Sequence, residues 1–215
     1  MNAFLRALAV QRWDDHRYYH HSRINQSLHL LSALSFLLAY ALLWVDPPLA
    51  ALLAWGLAMT SRQAGHFFFE PRGYDHVNQA THAHKEDIKV GYNLRRKVVL
   101  MGLWAASPLL VAAQPGLWGL WAWSGLSLPH SDFGGYLHNV GWLWLAVGAG
   151  GLVLRTLQLF VLRDVQTGLV WAAKIVTDPL HDVWLYHKAP LALLRGELID
   201  PMDPAADRAV GGHRH

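Results

Sequence analysis

Residues 28–45 read Leu-His-Leu-Leu-Ser-Ala-Leu-Ser-Phe-Leu-Leu-Ala-Tyr-Ala-Leu-Leu-Trp-Val, a run in which His29 is the only side chain that titrates near neutral pH. As a helix it rises roughly 1.5 Å per residue, close to the length a bilayer core demands. Downstream, Asp46-Pro47-Pro48 breaks the run, and a second one goes from Leu49 to Met59 and past Arg62 into Phe67-Phe68-Phe69. Two antiparallel spans joined by a tight turn are the natural reading. A third run, Val98 to Ala113, stops at Gln114-Pro115-Gly116; Leu117 to Leu128 is apolar but broken by glycines, which suits an interfacial or re-entrant segment. Val140 to Leu154 is the fourth run. After Arg155, an amphipathic stretch from Leu157 to Val176 either extends that span or lies along the surface. The expected fold is all-α: a polytopic membrane helix bundle of about four spans with cytoplasmic His-rich segments. Residues 1–200 form one membrane-embedded domain and 201–215 a loose tail.

Composition and charge support this reading. Of 215 residues, 53% are hydrophobic and only 15% charged, against about 25% charged in a soluble domain. Four of the 18 Lys and Arg precede the first span, seven lie between Arg62 and Lys97, and seven follow from Arg155; the first turn and residues 114–139 have none. Cations collect on the cytoplasmic side of spans, so both termini are expected in the cytoplasm of a bacterial inner-membrane or endoplasmic-reticulum protein. Phe4 to Val10 is too short for a cleaved signal, so the first span directs insertion. The formal charge of +3 gives no reason to expect nucleic acid, and the lack of cysteine excludes disulfides, thiolate metal sites and cysteine nucleophiles. Trp44, Trp118, Trp121, Trp123, Trp142 and Trp144 fall on the outer side, where indoles anchor at the interface.

The fourteen histidines divide unevenly under this topology. Only His130 and His138 are outside; His213 and His215 belong to the tail, leaving ten in three cytoplasmic segments. These are His16, His20, His21 and His29; His66, His76, His82 and His84; and His181 and His187. In the hairpin, His29 at the start of one span and His66 at the end of the next should lie at similar depth. Ionisable groups at a membrane boundary are costly unless paired, metal-bound or wet, so a metal site is expected here. Nitrogen donors with carboxylates suit iron, zinc, copper or manganese. His66 and Glu70, like Asn25 and His29, are four apart and share a helix face. On one continuous helix His21, Asn25 and His29 would form the stripe. His20 replaces His21 only if the helix starts near Ser22, an acceptable N-cap, and the preceding residues fold back.

Two motifs carry a family resemblance. Tyr19-His20, four residues, Asn25, three residues, His29 precedes and enters the first span, and Gly65-His66-Phe67-Phe68-Phe69-Glu70 ends the second. Over roughly its first third the chain resembles the Mpo-type 2-hydroxy fatty acid dioxygenases of alpha-oxidation, small multi-span membrane proteins. The resemblance implies a non-haem iron enzyme that uses ferrous iron, Fe(2+), and dioxygen to shorten a 2-hydroxy fatty acid by one carbon. It implies His20, His29 and His66 as metal ligands and Asn25 and Glu70 in supporting or proton-handling roles. His82, His84 and His181 join the candidates from the histidine cluster itself. The expected partners are the fatty-acyl or lipid substrate, dioxygen and membrane lipids.

Two other readings compete. A membrane di-iron hydroxylase or desaturase also gathers cytoplasmic histidines, but its paired-His boxes are incomplete here. A metal or proton carrier needs polar ligands through the midplane, where these spans are nearly bare.

Overall fold

The computed structural model describes residues 2–70, 73–75, 78–88, 90, 94–120 and 132–201, and among these it is helical without a strand. The tail from residue 202, and with it His213 and His215, lies outside the described residues, as do His76, His130, Trp121 and Trp123. Nine α-helices are described: α1 Ala3–Tyr19, α2 Arg23–Leu42, α3 Pro47–Leu53, α4 Thr60–Phe68, α5 His82–Ile88, α6 Leu94–Ala113, α7 Phe133–Leu162, α8 Val165–Tyr186 and α9 Ala189–Leu194. A π-helical stretch, Ala54–Met59, joins α3 to α4 without a break in the rod. Three helices are long and apolar enough to cross a membrane: Arg23–Leu42, Arg96–Ala113 and Phe133–Leu162. Their outward faces present Leu34, Leu38, Val99, Leu103, Leu154 and Val161, all exposed. Apolar surface on that scale is consistent with a membrane protein.

Helix boundaries follow local chemistry. Asn2, Ser22, Asp46, Asp132 and Asp164 each accept the backbone N–H three residues on, an N-cap typically contributing about 1 kcal/mol. Ser22 therefore starts a new helix, and residues 20 and 21 form a corner between α1 and α2. Asp46 with Pro47 and Pro48 starts the second arm of the expected hairpin. α7 and α3 meet at close range, because a side chain at Gly141 would strike the Pro48 carbonyl oxygen at 2.5 Å.

The stretch from Leu157 to Val176 is neither one extended span nor one surface helix. α7 runs on to Leu162, Arg163 leaves helical geometry, and Asp164 caps α8, which turns back to pack against α7, α2 and α1. At that corner Gly168 faces the Phe160 ring and the Thr156 carbonyl. α8 continues through Pro179 to Tyr186. The C-terminal Leu198–Asp200 returns to the α1–α2 corner: Arg23 N–H donates to the Leu198 carbonyl at 2.9 Å and Asp200 N–H to the His21 carbonyl at 2.8 Å.

Trp44 and Trp118 are exposed, but Trp144 turns inward. Its indole N–H donates to Ser107 Oγ at 2.9 Å and its ring lies 5.1 Å from Trp104. A hydroxyl acceptor on α6 draws it between α6 and α7, away from an anchoring belt.

Candidate metal centre

The corner at residues 20–22 decides which histidine faces the core. With α1 ended at Tyr19 and α2 begun at Arg23, His20 folds back over the first turn of α2. Its Nε2 lies 3.1 Å from His29 Nε2. His21 points the other way, to Asp75 Oδ2 at 3.4 Å. His66, near the end of α4, brings its ring centroid to 4.9 Å from that of His29 and 5.3 Å from that of His20. All three histidines are buried, and one ring nitrogen from each lies within 4.8 Å of the others.

Polar contacts behind the rings fix their orientation. His20 Nδ1 faces the Asp15 carbonyl at 2.7 Å, and Gln26 donates to the His20 carbonyl at 2.8 Å. His66 Nδ1 lies 2.7 Å from Glu70 Oε2, one helical turn on. These acceptors hold His20 and His66 as Nδ1–H tautomers, which leaves Nε2 of each ring as the nitrogen able to bind a metal. Asn25, wholly buried, donates to the Tyr19 carbonyl at 2.8 Å and so braces the residue before His20. Gly65 packs directly on Asn25; a Cβ there would overlap Asn25 Oδ1. The Gly-His pair thus lets α4 approach closely enough for His66 to reach His29.

The site's other wall comes from α8. Lys174, Asp178 and Asp182, spaced four apart, line its buried face, and Lys174 pairs with Asp178 at 2.6 Å and with Asp15 of α1. Arg12 reaches Asp178 at 3.3 Å, and Arg62 reaches Asp182 at 3.0 Å. The Tyr186 ring lies 5.7 Å from His20 and 6.1 Å from His29, and its hydroxyl is 3.3 Å from His16 Nδ1. Burial lowers the His16 pKa to about 4, against an opposing pull from Asp200. Burial, then the neighbouring His29, also holds His20 well below the ordinary histidine value. His16 and His20 are therefore neutral at pH 7, and a neutral imidazole is the ligand form.

The arrangement fits a metal ion. Two nitrogens bound at about 2.1 Å, with angles near 90–110°, stand roughly 3.0–3.4 Å apart, which the 3.1 Å separation of His20 and His29 matches. His20, His29 and His66 could therefore hold a metal through three nitrogens. His82, His84 and His181 are not in this group. His82 and His84 sit on α5, beyond the corner, while His181 is one residue from Asp182 and hence about 100° around α8, against Trp184. It does line a small, partly open cleft beside the centre, with Arg12, Arg62, Asp182 and Tyr186.

Asp182, Tyr186, Lys174 and Arg62 were not among the residues expected at the site. The available signal was the four-residue spacing of Lys174, Asp178 and Asp182 in an otherwise apolar segment, which marks one polar face of a helix. Comparison with family models, curated proteins and solved structures finds no match for this chain. What the centre can do is read from its own geometry.

Proposed function

We propose that this chain is an Fe(II)-dependent dioxygenase of 2-hydroxy fatty acids, working at the cytoplasmic face of a membrane. The observation that carries the reading is the convergence of three buried imidazoles, from three separate segments, with one ring nitrogen of each within 4.8 Å of the others. The motifs at Tyr19 to His29 and Gly65 to Glu70 add the family resemblance and so the substrate class. His20, His29 and His66 would hold the iron, which when bound supplies the means to activate dioxygen. In the overall reaction the bond between C1 and C2 breaks: 2-hydroxy acid and dioxygen give the acid one carbon shorter, carbon dioxide and water.

The chain's own residues do the positioning. Glu70 fixes the His66 ring, Asn25 and Asp15 fix His20, and Tyr186 packs its ring beside His20 and His29. The cleft beside the rings is lined by cations and carboxylates that would meet the polar head of a substrate. Its acyl chain would lie along the apolar helix faces. In this reading the rod from Pro47 to Phe68 is the additional span, giving four, and the sorted cations put both termini in the cytoplasm.

The test is to purify the protein in detergent, measure bound metals, and follow oxygen consumption and product chain length with a 2-hydroxy fatty acid. One iron per chain, a product one carbon shorter and loss of both iron and activity in His66→Ala are expected. Absence of iron binding, two irons per chain, or activity indifferent to His66→Ala would overturn the reading.

A further inference from the structure

The three imidazoles are braced unequally. Acceptors stand at 2.7 Å from Nδ1 of both His20 and His66, yet Nδ1 of fully buried His29 makes no hydrogen bond. Its facing acceptor is Asp182 Oδ2, 3.6 Å away. That oxygen is also buried without a hydrogen bond, although its charge is balanced by Arg62 Nη1 at 3.0 Å. A buried donor or acceptor left unmade costs about 1–3 kcal/mol, and once His29 Nε2 binds a metal its proton belongs on Nδ1, facing that carboxylate oxygen. A movement of about 0.5–0.8 Å would bring them to hydrogen-bond distance.

We propose that Asp182 is the positioning residue of His29, accepting its Nδ1–H when a metal draws on Nε2, so that α8 supplies part of the metal centre. The inference rests on the metal reading of the preceding subsection. The chemistry is that of a carboxylate behind a metal-bound histidine: the metal withdraws charge from the ring, the distal N–H becomes a better donor, and a carboxylate there raises ligand basicity. Glu70 already stands in that relation to His66. Arg62 pairs with Asp182 without monopolising it, because Asp178 lies 3.7 Å from the same guanidinium and continues to balance it when Asp182 turns toward His29. The network of Lys174, Asp15, Asp178 and Arg12 then fixes the height of α8 against α1, and with it the position of Asp182.

The experiment measures ferrous-iron affinity of the full-length protein in detergent, anaerobically, by competition with a chromophoric chelator, with Co(II) as a spectroscopic probe. Asp182→Asn should weaken iron binding about tenfold and Asp182→Ala up to about a hundredfold, with Asp182→Glu recovering part of the loss. The Co(II) band shape of Asp182→Asn should match that of the parent, since the three nitrogen ligands are unchanged. Unaltered affinity in Asp182→Asn overturns the inference and leaves the metal reading intact. Two other results also overturn it: full recovery of affinity in Arg62→Gln/Asp182→Asn, which reduces Asp182 to a counter-charge for Arg62, and a Co(II) spectrum of altered coordination number, which makes Asp182 a ligand. If the parent protein binds neither Fe(II) nor Co(II), the metal reading itself fails.

Discussion

Around His29, the helices that close on α2 do so through polar side chains. His20 comes from the corner, His66 from α4 and Asp182 from α8, with Lys174, Asp15, Asp178, Arg12 and Arg62 tying the walls together. Between α6, α7 and the π-helical stretch the contacts are of another kind: the Trp55 and Trp104 indoles stack, Trp144 tilts against Trp104, and most of α6 and α7 shows apolar side chains outward. The first region is directional, so each atom has few acceptable positions. The second is held by apolar area and has room to adjust. Precision is concentrated where a metal would need it, while the region that leans on its surroundings carries no candidate ligand among the described residues.

The comparison breaks most visibly at the corner. His20→Ala should abolish metal binding while His21→Ala retains it, because His21 serves Asp75 and not the centre; equal loss in both, by metal analysis of the purified proteins, would remove the distinction. Next, Lys174→Ala leaves Asp178 and Asp15 facing each other with their shared cation gone, and should cost about 3–5 kcal/mol in chemical unfolding.

A dependence on pH comes third. His16 is neutral in the fold with a pKa of about 4 but protonates near 6.5 when unfolded. Between those values the unfolded chain binds the extra proton, so stability is full above pH 6.5 and falls as pH drops toward 4. The loss approaches about 3 kcal/mol, and His16→Gln should flatten the thermal midpoint across that window.

Gly65→Ala places a methyl group on Asn25 and should cost about 1–3 kcal/mol and loosen the metal. In the other region Trp144→Phe should cost only about 1 kcal/mol, since Ser107 keeps its bond to the Trp104 carbonyl at 2.6 Å. If Trp144→Phe proved as damaging as Lys174→Ala, the contrast between the two regions would not stand.

Much of this was legible in order along the chain. The run at 28–45 and the break at Asp46-Pro47-Pro48 announced the hairpin, and the hairpin brought His29 level with His66. Ser22 as a possible cap was the clue that His20 could displace His21. The turn at Arg163-Asp164 was harder: helical periodicity on both sides masked it, and only the cap at Asp164 and the Gly168 contact with Phe160 mark it. At Pro179 the residue before the proline is pushed away from helical geometry, yet packing and the ion pairs carry α8 through it.

The sequence by itself determined helices with membrane-length apolar runs, cations gathered in three blocks along the chain and a histidine cluster near Ser22, because hydropathy, charge and capping are local and can be read along the chain. Only the tertiary structure decided that His20, His29 and His66 come together, and that α8 forms the wall beside them. Those facts depend on which face of a distant helix packs inward, and in α8 that face is set by ion pairs to α1 and α4 whose partners lie far away in the chain.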